Sequence, residues 1–233
     1  NTTSSGDYST AMGYGTEASG YNSTAMGIDT EASGYYSIAL GINTTASGQS
    51  STAIGDSTTA SESNSTAMGN TTTASGQNST AMGFGTFAQG HYSTTMGYQT
   101  TASNFHSTAM GYETTASGGT STAMGEKTIA SGDYSTTMGL YTTGSGWSST
   151  AMGYDTEASG SYSTAMGNNT AASDYNSLVV GRYNLLGSTV TNNATDFSTD
   201  NTAFVIGNGA DTDNRSDALT VLFDGTTTIA GSV

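Results

Sequence analysis

Apolar and small residues alternate with polar ones in short bursts. Ser-Thr-Ala-Met-Gly alternates with period two, and so does Thr-x-Ala-Ser-Gly. Each burst is too short for a helical stripe and reads as a strand. Each ends on Gly and a variable dipeptide, which reads as a tight turn. The two bursts recur as one unit, Ser-Thr-Ala-Met-Gly-x-x-Thr-x-Ala-Ser-Gly-x-x. Twelve full units of 14 residues run from Ser9 to Asn176, and a thirteenth begins at Ser177. Thr2 to Tyr8 fits the second half of a preceding unit.

The columns of this repeat differ in strictness. Position one is Ser in all thirteen units. Position five is Gly in all thirteen: Gly13, Gly27, Gly41, Gly55, Gly69, Gly83, Gly97, Gly111, Gly125, Gly139, Gly153, Gly167 and Gly181. These are read as turn glycines. Position eight is Thr from Thr16 to Thr170. Position twelve is Gly except for Glu62, Asn104 and Asp174. Asn and Asp tolerate positive φ best after Gly, so this column is expected to be left-handed, with Glu62 strained. Position four holds Met12, Met26, Leu40, Ile54, Met68, Met82, Met96, Met110, Met124, Met138, Met152, Met166 and Val180. A column that swaps only among large apolar residues is expected to be core. Positions six, seven, nine, thirteen and fourteen vary and form the outside.

Fourteen residues are too few for a strand-helix unit. The pattern therefore predicts an all-β fold: a parallel β-solenoid whose identical positions stack into ladders. At about 4.8 Å per coil, thirteen coils would extend roughly 60 Å. One coil has little to bury. A Met contributes about 1.5–3 kcal/mol, against about 1–2 kcal/mol for ordering each backbone residue. Alternation sets Thr and Met on one face of the first strand and Ser, Ala and Gly on the other. The small face suits a thin interior. The Met face then needs a partner, which predicts an oligomer.

The residues resemble a known family at this point. Ser-x-Ala-x-Gly followed by x-Ala-x-Gly, at 14-residue spacing, is similar to the head of trimeric autotransporter adhesins, the YadA-like head. The resemblance covers Thr2 to about Asn184. It implies a left-handed parallel β-roll, three rolls side by side in a homotrimer, display on a cell surface or outside the cell, and adhesion to matrix, glycans or other cells. Thr at position two and Met at position four depart from the family's frequent Val and Ile. Full-length members carry a stalk and an anchor, whose sequence patterns are not found between Asn1 and Val233. That suggests an excised head or a free fibre subunit.

The rest divides into a loop or insertion over 185–202 and a β cap or connector over 203–233, after a roll over 1–184. Ala203 to Gly209, Asn214 to Leu222 and Asp224-Gly225 read as strand, turn, strand, turn, strand, and are similar to segments of bacterial surface and phage-fibre proteins. If such rolls stack head to tail into filaments, Leu219, Val221 and Phe223 are the expected assembly strand.

Composition narrows the function. The 233 residues hold 18 Asp+Glu against 3 Lys+Arg, a net charge of -15. Lys127, Arg182 and Arg215 cannot make a nucleic-acid patch. There is no Cys, so no disulfide or thiol chemistry. No apolar run approaches the roughly 20 residues of a membrane helix, so direct membrane insertion is not expected. Serines sit at ladder positions without a base, and glycines at coil spacing without a following Lys, so neither an enzyme nor a phosphate loop is expected. No cofactor is implied. His91 and His106 sit one coil apart, at different turn positions, and read as surface decoration. Asp211, Asp213, Asn214 and Asp217 are a weak Ca²⁺ candidate, because oxygen ligands cluster there without the spacing of a calcium loop. Aromatics concentrate in the variable positions. Tyr35, Tyr36, Tyr92, Phe105 and Trp147 are candidate ligand contacts, since rings offer large contact area. Two Thr columns, at positions two and eight, raise an ice-binding solenoid as an alternative. A phage or virion tail-fibre section is another. Nine Asn-x-Ser/Thr sequons occur, as this composition allows.

Overall fold

The computed structural model describes residues 1–186 and 194–231. It divides into two compact units, Asn1–Glu113 and Thr114–Val233. Residues 187–193 of the expected insertion lie outside the described residues.

Every strand in the first unit comes from the repeat. Eight five-residue strands, Thr10–Tyr14 to Thr108–Tyr112, alternate with eight two-residue strands, Thr3–Ser4 to Thr101–Ala102. Long strands pair with long strands of the neighbouring coil, parallel and in register: Thr66 with Thr80, Ala67 with Ala81, Met68 with Met82. Short strands do the same, Thr59 with Thr73 and Ala60 with Ala74. One coil is therefore one repeat, and each sequence column becomes a physical column. The second unit continues the scheme with five long strands, Thr122–Glu126 to Leu178–Arg182, and five short ones, Thr115–Ala116 to Ala171–Ala172. This is an all-β parallel β-solenoid of about thirteen coils.

The interior is small. Alanines at positions three and ten, such as Ala67, Ala74 and Ala81, have no exposed surface. Position-one serines and position-eight threonines, Ser65 and Thr72 among them, are equally buried. Ser37, Ser65, Ser107, Ser121 and Ser177 donate their hydroxyls to the carbonyl three residues earlier, at 2.6–2.8 Å. In these five coils the corner carbonyl receives the buried hydroxyl, whereas Ser23, Ser51, Ser79 and the position-eight threonines are buried with no such partner.

The Met column corrects the reading of a core. It stands outside the coil: Met12 is 55% exposed, Met96 40% and Met26 38%, and the others are half-buried. The alternation that sends Ala inward must send Met outward.

The glycine columns correct the turn reading. Position five lies inside the long strand, with φ +131° at Gly69; a Cβ there would sit 2.0 Å from the Gly83 carbonyl oxygen. Position twelve is not left-handed. Its glycines are excluded from side chains by crowding: a Cβ on Gly34 would meet the Gly48 oxygen at 2.0 Å. Among residues other than Gly, positive φ falls on positions seven and fourteen, as in Asp29, Asn43, Tyr36 and Asn64. Glu62 is absent from that set, so its corner is not strained in the expected way.

The tail begins as another coil. Thr202–Asn208 runs parallel to Leu178–Arg182, pairing Val179 with Val205, Val180 with Ile206 and Gly181 with Gly207. Val205 enters the Ala column fully buried. Asp217–Leu222 and Thr227–Ile229 then add antiparallel.

Candidate functional surfaces

Three surfaces are built by repetition. The first is the outward face of the long strands, with position-two Thr beside position-four Met. Parallel pairing holds the side chains in straight ranks, Met82 beside Met96 and Met96 beside Met110. Apolar surface so ordered and half-exposed is unusual for a chain standing alone.

The second surface is the corner at positions thirteen and fourteen, where all five candidate contact aromatics sit. Tyr21 meets Tyr8 at 5.6 Å and Tyr36 at 5.7 Å, both edge to face, and Tyr35 at 6.2 Å, tilted. Tyr35 is 61% exposed and Tyr36 50%. Further along the first unit, His91 stacks on Phe105 at 5.1 Å and Tyr92 on His106 at 4.9 Å. His91 Nδ1 also accepts from the Gln77 amide at 3.3 Å. Its orientation is thus held by its own chain. In the second unit Trp147 lies edge to face with Tyr134 at 5.4 Å and with Tyr162 at 4.7 Å. The third surface is position six, where Phe84, Tyr98 and Tyr112 stack nearly parallel at 5.1 and 4.9 Å.

The repeats match a known family. The family model of the YadA head domain repeat (2 copies) matches residues 1–16, 18–44, 32–58, 46–72, 60–86, 74–100, 88–114, 102–122, 116–141, 145–170 and 158–184. The chain belongs to the YadA head domain repeat family. No curated protein matches it as a relative. It is a YadA-like head, a β-roll of the trimeric autotransporter adhesin type, with the surface structural role that such repeats imply.

The remaining sequence candidates separate in this head. Asp211 turns its Oδ1 inward to accept from the Asp213 amide at 3.0 Å and from the Asn214 amide and Nδ2, each at 2.9 Å. The Asn214 side chain, foremost, holds the Asp211 carboxyl below its ordinary pKa. Asp217 accepts from the Leu185 amide at 2.9 Å and from Thr220 Oγ1 at 3.3 Å. Burial raises its pKa. The cluster thus closes a hairpin and docks it. Among the described residues no group of three or more Asp, Glu, His or Cys could hold a metal ion. Of the Ca²⁺ candidates, Asp211 Oδ1 and both Asp217 oxygens already serve their own chain.

The assembly strand is corrected too. Asp217–Leu222, which carries Leu219 and Val221, has both edges paired, to Thr202–Asn208 and to Thr227–Ile229. Phe223 lies past its end and packs on Phe197 at 5.1 Å. A strand with both edges filled offers none to a neighbour. The Thr columns do not make a flat hydroxyl array: position eight is buried, and position two shares its face with Met.

Sequence reasoning missed the residues that finish the roll. Asn184 sets its side-chain amide against Ala171, accepting from the amide at 2.8 Å and donating to the carbonyl at 3.0 Å. It thereby replaces the next short strand at a sheet edge. Asp174, one of the three departures at position twelve, accepts from the Thr202 amide at 2.9 Å through Oδ2. Arg215 donates to the carbonyls of Asn169 and Asn184 at 2.9 and 3.0 Å. The departure at position twelve was the legible signal.

Proposed function

We propose that three chains associate through the Thr/Met faces of their long strands, giving a trimeric head that acts as an adhesive scaffold at the cell surface or outside the cell. The observation that carries this reading is the Met column, which is in register and half-exposed outside an interior already filled by Ala. Burying such ranks against their copies supplies apolar area that one coil lacks. In this arrangement the aromatic corners carry the contacts to matrix proteins, glycans or other cells. Lengthwise filament growth would need an element other than Leu219–Phe223.

Light scattering after size exclusion tests the trimer. A native mass near three times 23.4 kDa is expected. Replacing Met82 and Met110 with Asp should lower that mass, because each carboxylate would lie in an apolar seam. A monomeric wild-type chain would sink the trimer.

A further inference from the structure

The tyrosine corner of the first unit joins edge-to-face rings to an acidic surround without Lys or Arg. Tyr8, Tyr21, Tyr35 and Tyr36 meet edge to face or tilted. An edge-to-face contact covers one ring's face with the other's edge and leaves further faces open. The parallel stack of Phe84, Tyr98 and Tyr112 instead covers both faces of its middle ring, at interplanar angles of 6° and 5°. Tyr8, Tyr35 and Tyr36 are each at least half exposed.

The electrostatics around these rings have one sign. The first unit holds seven acidic residues, Asp7, Glu17, Asp29, Glu31, Asp56, Glu62 and Glu113, and not one Lys or Arg. Four of the seven fall within the first 31 residues. Asp7 occupies the corner itself, one coil before Tyr21 in the same column. Glu17 and Glu31 are exposed, register-paired neighbours on the short strands that lead into the corner. Open aromatic faces attract cations through the ring quadrupole, and carboxylates beside them add to that attraction. A polyanion would be repelled, and a neutral ligand would leave the carboxylates unused.

We propose that the corner formed by Tyr8, Tyr21, Tyr35 and Tyr36, with Asp7, Glu17 and Glu31, docks a cationic segment of a partner protein, one that presents Arg or Lys. The guanidinium or ammonium groups lie over the tyrosine faces and the carboxylates balance their charge. This rests on the adhesive reading and names the kind of partner for it.

The test is calorimetric titration of the full chain with octa-arginine, with octaglutamate and a neutral chitin hexasaccharide as comparators, at low and high salt. Octa-arginine should bind, more weakly as salt rises, and the comparators should not. Tyr35→Ala with Tyr36→Ala should weaken binding about tenfold. Tyr98→Ala with Tyr112→Ala removes as many rings from the same unit at the same charge, and should leave binding unchanged. Glu17→Gln with Glu31→Gln should weaken it. Equal behaviour of the two tyrosine pairs would reduce the effect to net charge and overturn the proposal. So would hexasaccharide binding with octa-arginine inert. Circular dichroism on each variant checks that the roll persists. Native mass on the same samples separates the two readings: a trimer that ignores octa-arginine overturns only this docking site, and a monomer overturns the trimeric head.

Discussion

Gly69 and Gly225 both have positive φ, +131° and +91°, yet a Cβ on the first would meet a carbonyl at 2.0 Å and one on the second nothing within 4 Å. The two belong to regions built on different principles. The roll closes by repetition: backbone bonds run from coil to coil, as from the Asn64 amide to the Gln49 carbonyl at 2.8 Å, and Ala fills the interior. No charged side chain is needed there, and every column must fit its copy above and below. The tail closes by individual contacts. Arg182 donates to the Ala210 carbonyl, Arg215 to Asn169 and Asn184, and both guanidinium groups lie within 6 Å of the Tyr183 ring centre. Repetition makes a fold that is rigid toward substitution in its strict columns. Individual contacts make one whose parts can fail separately.

The sharpest test of that contrast is Gly69→Ala against Gly225→Ala. The first should cost about 3 kcal/mol or more, since strain and a backbone clash add. The second should cost about 1 kcal/mol. Thermal unfolding of both proteins checks this, and equal shifts would erase the distinction. Next is Arg215→Ala, which removes two charge-assisted bonds. It should cost about 2 kcal/mol locally. Hydrogen exchange should rise in Thr202–Ile229 and stay unchanged in the first unit; uniform loss of protection would mean that the tail is no separate closure.

A smaller effect of opposite sign is expected at Thr71, a β-branched residue at φ +54°. Thr71→Gly should stabilise by about 1 kcal/mol, because the left-handed conformation costs that much with a Cβ. A fall in melting temperature would show that the corner is held by its side chain. The smallest effect is pH dependence confined to the tail. Asp211 and Asp224 have lowered pKa, so their stabilisation is present above the ordinary value of 3.8 and is lost as pH falls through the folded value. Asp217 has a raised pKa, so its carboxylate opposes folding at neutral pH, and that cost is relieved as pH falls through it. Asp217→Asn should therefore remove a stabilising trend on mild acidification, followed by hydrogen exchange of the tail.

Much of this was legible in the sequence because a repeat fixes two things at once. The 14-residue period sets the coil, and alternation within it sets which columns face in. By that alternation position eight shares the inward face of the Ala at position ten. The Met column could not be placed by type, since an apolar column looks the same whether it fills a coil or lies between chains. Position twelve misled because crowding and positive φ both select Gly. The acidic cluster misled because an oxygen that closes a turn and one that holds a cation have the same spelling.

The sequence by itself determined the coil, its strands, its register and its family, because each depends on local alternation repeated thirteen times. Only the tertiary structure decided the rest: that Val205 enters the Ala column after a break in the repeat, that Asn184 stands in for a strand, and that Asp217–Leu222 has no free edge. These depend on contacts such as that of Asp174 with Thr202, 28 residues apart, which no period announces.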